Sequence, residues 1–84
     1  MDNKKVIYTA DNGGDYTEKR FRDEVETWMK NSDLFNDLTS EQFKKASDHA
    51  FKMVLSAVEW ECPSTYCEQF EDEDFEEILE NSKV

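Results

Sequence analysis

The sequence predicts a mainly α fold, a small domain of three to four helices preceded by a short N-terminal β-strand or hairpin. Three observations carry this. Apolar residues recur at helical spacing in separate stretches of the chain. Two glycines and one proline leave few turns. A β-branched and aromatic run at the start gives way at once to a cluster of turn-forming residues. With 84 residues the chain has room for one domain, residues 1–84, that buries a modest fraction of its surface. A deep catalytic cleft is hard to fit into that volume.

Residues 4–10 (KKVIYTA) form the strand, and Asp11-Asn12-Gly13-Gly14-Asp15 supplies the turn. A single strand ending in a tight turn is the simplest reading. The same turn also suits a hairpin whose second arm is residues 16–21, where Tyr16, Glu18 and Arg20 alternate with Thr17, Lys19 and Phe21. Neither alternating set is cleanly apolar, so residues 16–21 stay open between strand and helix.

Phe21, Val25, Trp28 and Met29 fall at i, i+4, i+7 and i+8, which places a first helix at about residues 18–30, capped by Thr17 or Asp15. Asn31-Ser32-Asp33 stops it, and Leu34, Phe35 and Leu38 read as a short turn that plugs the core. Thr39 and Gln42 then have capping-box spacing before the most apolar helix, at about residues 40–60. Its inner stripe is Phe43, Ala46, Ala50, Met53, Val54, Ala57 and Val58, broadened by Phe51 and Leu55, so it should be contacted on more than one side. Pro63 is expected to end it, and Ser64 to cap a turn carrying Tyr66, Cys67 and Phe70. A last helix turns Phe75, Ile78 and Leu79 inward and Glu73, Glu76, Glu77 and Glu80 outward.

Charge is placed rather than spread. Residues 59–84 hold ten carboxylates against the single base Lys83, a local charge of −9, while the first 58 residues carry eleven acids and nine bases. Acidic runs with few aromatics are usually disordered. This one has Trp60, Tyr66, Phe70, Phe75, Ile78 and Leu79 threaded through it, enough apolar surface to hold it against a core. The expected product is a fixed acidic helical segment on the surface.

Direct binding to nucleic acid or to an anionic membrane needs basic patches that are missing here. No apolar run approaches the roughly 20 residues that span a bilayer, and the N-terminal residues lack the core of a signal peptide, so a cytoplasmic protein is expected. Cys62 and Cys67 by themselves fall two ligands short of a zinc site, with no second Cys pair and no second His beyond His49 to complete it, and the three read as structural thiols and a structural histidine. Asp11, Asn12 and Asp15 lack the register of a calcium loop. Ser47, Ser56 and Cys62 carry no nucleophile motif, and the acids fall at outward positions without a pocket signature. No catalytic residue, metal or cofactor is assigned, and an enzyme is not expected.

The acidic surface remains. Carboxylates at i, i+3 and i+4 stand roughly 5 to 6 Å apart, the order of successive phosphates along a strand. Glu68, Glu71, Asp72, Glu73, Asp74, Glu76, Glu77 and Glu80 are the candidate phosphate surrogates, and Tyr66, Phe70 and Trp60 the candidate anchors. The bland alternative is that the acids only keep the chain soluble.

Trp60-Glu61 and Gln69-Phe70-Glu71-Asp72-Glu73-Asp74-Phe75-Glu76-Glu77 resemble, in composition over about 18 residues, the acidic, aromatic-spiked ends of small phage-encoded inhibitors, the anti-CRISPR and anti-restriction proteins that mimic DNA. Colicin immunity proteins are similar in size and charge. The resemblance implies an inhibitor that occupies the nucleic-acid groove of a basic target, a nucleic-acid-binding protein or nuclease, in the host cytoplasm if phage-encoded. Three alternatives carry other partners: an adaptor using its aromatics on a neutral partner, an immunity-type protein, and a metal-binding module around Cys62, Cys67 and His49. Homodimerisation is left open.

Overall fold

The computed structural model describes residues 5–83; Lys4 of the expected strand and Val84 at the end of the acidic stretch lie outside the described residues. The N-terminal segment is the hairpin rather than the lone strand. Strand β1 (Val6–Ala10) pairs antiparallel with β2 (Gly14–Thr17), with Tyr8 opposite Tyr16 and Ala10 opposite Gly14. Gly14 enters β2 at φ 76°, a left-handed conformation that side chains disfavour. Gly13 is needed for a different reason: a Cβ there would lie 2.8 Å from Cys62 Sγ and 3.0 Å from the Tyr16 hydroxyl.

The second arm is shorter than residues 16–21. It stops at Thr17, whose hydroxyl accepts the Arg20 N–H at 3.2 Å and so opens helix α1 (Glu18–Lys30). Helical geometry puts Phe21, Val25 and Met29 on one fully buried stripe. Glu18 in the first turn and Lys30 in the last suit the helix dipole.

A 3-10 turn (Asp33–Phe35) follows, capped by Ser32. Phe35 plugs the core as expected, but Leu34 is turned to solvent. Helix α2 (Ser40–Ala57) opens with the Thr39/Gln42 capping box. It buries Ala46, Ala50, Phe51 and Val54, and it touches α1, helix α3 (Pro63–Cys67) and helix α4 (Asp72–Ser82).

Helix α2 ends at Ala57, short of Trp60 and well before Pro63, and Ala57 itself is exposed. The cause is tertiary. Val58 turns extended, and the hairpin captures the chain beyond it: the Asp11 N–H donates to the Trp60 carbonyl at 2.9 Å, and the Tyr8 hydroxyl to the Glu61 carbonyl at 2.6 Å. Pro63 consequently starts a helix instead of ending one, sitting in the first turn of α3 with Cys62 as its N-cap. Ser64 is not the cap. Its backbone N–H points to Glu24.

Aromatic rings form two groups in and around the core. Phe21 meets Tyr8, Tyr16 and Phe51 at centroid distances of 5.3–5.9 Å, all close to edge-to-face. A second group joins Trp28, Phe70 and Phe75, with Tyr66 and Phe35 at its margins.

Glu24 links three elements. One carboxylate oxygen accepts the Tyr16 hydroxyl and the other the Ser64 N–H, both at 2.8 Å, so hairpin, α1 and α3 meet on one side chain. Burial, reinforced by this hydrogen bond, holds the Tyr16 phenol above its ordinary pKa, and it remains a donor at neutral pH. Glu24→Ala leaves a buried hydroxyl and a half-buried amide without their acceptor. The expected cost is about 1–3 kcal/mol, read as a lower urea midpoint, and Glu24→Gln, which keeps a carbonyl acceptor, should recover part of it.

Candidate acidic interface

Phe75, Ile78, Leu79 and Ser82 turn one side of α4 inward, with Ile78 and Ser82 fully buried. The helical period then sends Asp72, Glu73, Glu76, Glu77 and Glu80 outward, and all five are exposed. Glu68 and Glu71 are exposed on the preceding turn. The scaffold for this surface is α2, against which α4 packs.

The eight predicted carboxylates do not all have the same task. Asp74 is half-buried, and its Oδ2 accepts the Glu71 N–H at 2.9 Å, so it closes the start of α4. Glu77 lies 2.7 Å from Nε2 of the half-buried His49, tying α4 to α2. Asp72, Glu73 and Glu76 have no partner among the described residues. Lys19–Asp23, Arg22–Glu18, Arg22–Asp48 and Lys52–Asp48 set bases of α1 and α2 against acids of those same two helices. The hydrogen bond from Arg22 holds Asp48 below the usual carboxylate range.

Such a row opposes its own helix. Asp72–Glu76, Glu73–Glu77 and Glu76–Glu80 are like-charge i, i+4 pairs, each costing roughly 0.2–0.5 kcal/mol. The acids of the first turn, Asp72, Glu73 and Asp74, gain about 0.3–1 kcal/mol each from the helix dipole, which offsets the repulsion. The dipole accounts for acids at the N-terminal end of α4. It does not account for Glu76, Glu77 and Glu80 further along.

Tyr66 and Phe70 are not free anchors. Both are half-buried; Phe70 is wedged edge-on between Trp28, Tyr66 and Phe75, and Tyr66 packs on Phe70 at 5.9 Å. Trp60 is different, with 55% of its surface exposed. Glu24 escaped sequence reasoning altogether, because its partners lie eight and forty residues away.

Cys67 is buried, which pushes its thiol up to about 12, with Glu24 and Glu68 adding to the effect. Cys62 is half-buried, and both are free thiols. Among the described residues, no three His, Cys, Asp or Glu side chains converge to hold a metal ion. The Asp11–Asp15 loop already holds a cation of its own, since the Arg20 guanidinium donates to the carbonyls of Gly13 and Asp15. A groove of about 490 Å³ runs beside α1 past Asp23, Glu24, Thr27, Trp28 and Asn31. Its carboxylates are committed, Asp23 to Lys19 and Glu24 to the brace. No helix of the described residues is long and apolar enough to cross a membrane. No family model, curated protein or solved structure matches this chain.

Proposed function

We propose that this chain is an inhibitory binding protein whose acidic surface occupies the nucleic-acid groove of a basic target protein. The observation that carries the reading is the outward row Asp72, Glu73, Glu76 and Glu80 on a helix packed against α2, in a chain where Lys19, Arg22 and Lys52 pair with acids of α1 and α2 and not with this row. A groove lined by Lys and Arg pairs with such a row as it pairs with phosphates. Long-range attraction speeds the encounter, and short-range pairing sets the register. Anchoring matters because a mobile acidic tail loses ordering entropy on binding, whereas a helix already packed on α2 does not. The target is a nucleic-acid-binding protein or nuclease, and the mechanism needs no chemical step in this chain.

Two measurements test this together. The tagged protein should retain its partner from host lysate at low salt, and roughly 0.5 M salt or added DNA or RNA should displace it. The triple variant Glu73→Lys, Glu76→Lys, Glu80→Lys spares the His49–Glu77 link. At about 1 kcal/mol for each pair close to 4 Å in water, it should bind the purified partner on the order of 100-fold more weakly. A partner that survives high salt, ignores nucleic acid and binds the triple variant unchanged rules the reading out.

A further inference from the structure

Trp60 is the aromatic side chain that the core leaves out. It is 55% exposed, and among the described residues no aromatic ring packs against it. Its backbone, by contrast, is held. The Trp60 carbonyl accepts the Asp11 N–H at 2.9 Å, the next carbonyl accepts the Tyr8 hydroxyl at 2.6 Å, and the Val58 N–H is bonded to Val54 at 2.8 Å. Glu59 and Glu61 flank it, and Glu61 Oε1 accepts the Glu59 N–H at 3.2 Å. A large apolar ring is thus displayed from a pinned loop between two carboxylates.

We infer that Trp60 is a platform for an arginine or lysine side chain of a protein partner. The indole face is the best of the aromatic faces for attracting a cation, and a guanidinium can stack on it while its N–H groups reach a neighbouring carboxylate. Charge complementarity selects this occupant. An apolar or acidic partner laid on Trp60 would strip water from Glu59 and Glu61 without pairing them. A quaternary ammonium ligand would require a cage of several rings, and one ring is present. The inference rests on the basic-partner reading and adds a second contact on a different segment from α4.

Nona-arginine peptide serves as the probe, with affinity from calorimetry and the two tryptophan indole N–H resonances followed by NMR. The Trp60→Phe spectrum assigns them. The Trp60 resonance should shift saturably while that of Trp28 stays, and Trp60→Ala should weaken binding about 3–10-fold, with Trp60→Phe keeping most of the affinity. Because the side chain is exposed, Trp60→Ala should keep the parent's melting temperature. If Trp60→Ala binds like the parent while the triple α4 variant is weaker, the Trp60 platform is overturned and the α4 reading stands. Loss in Trp60→Ala with none in the triple variant upholds the platform and overturns the α4 row. No loss in either overturns both.

Discussion

Phe21→Ala is expected to remove a large part of the stability of the fold. Phe21 has no exposed surface and meets Tyr8, Tyr16 and Phe51 edge-on, so truncation opens a cavity where hairpin, α1 and α2 converge. Removing a buried Phe costs about 3–5 kcal/mol. Stability of roughly 0.05–0.15 kcal/mol per residue gives a chain of this length about 4–13 kcal/mol in all, so the loss is a large part of the total. Near-UV circular dichroism and the urea midpoint would report it. An unfolding free energy within about 0.5 kcal/mol of the parent's would mean that the hairpin does not share the core with α1 and α2. Phe21→Leu, which keeps much of the volume, should lose far less.

Ile78→Ala should separate the acidic helix from its support without touching a carboxylate. Ile78 is completely buried on the inner side of α4, and its truncation costs about 2–5 kcal/mol. Helix α4 has eleven residues, too short to persist alone in water, and its like-charge pairs oppose it further. Amide hydrogen exchange in α4 should therefore rise well before that of α1. Binding to a basic target should fall although net charge is unchanged, and moderate salt should restore part of the exchange protection by screening the repulsion. Unaltered binding in this variant would show that the charge acts as a diffuse cloud, with no need for a fixed helical row.

These two variants divide the molecule along its physical seams. The Phe21 cluster makes the body, and Ile78 holds the charged element to it. Glu24 and the hairpin bonds to Trp60 and Glu61 join the two along the chain, so the acidic third is tied down at its start as well as along α4. Substitutions on the outer side of α4 should change association with little effect on folding, whereas those on its inner side should change both.

The features legible in the order of residues are those that depend on near neighbours. The 3.6-residue spacing of Phe21, Val25 and Met29, the Thr39/Gln42 capping box, and the alternation of Phe75, Ile78 and Leu79 with acids each act within two turns of helix, and each is found in the structure as the pattern predicts. The outward direction of Asp72, Glu73, Glu76 and Glu80 follows from the same period. The remaining features come from contacts between distant residues. Residues 16–21 divide between strand and helix because Tyr16 finds its place in the core and its acceptor on Glu24, while Thr17 caps α1. Helix α2 stops at Ala57 because the hairpin, some fifty residues earlier, takes the carbonyls of Trp60 and Glu61. Asp74 and Glu77 leave the free row because one closes the N-terminal turn of α4 and the other finds His49 across α2. Local patterns fix period and caps through contacts a few residues apart, but the end of a helix and the partner of a carboxylate are chosen by groups that only folding brings within hydrogen-bonding distance.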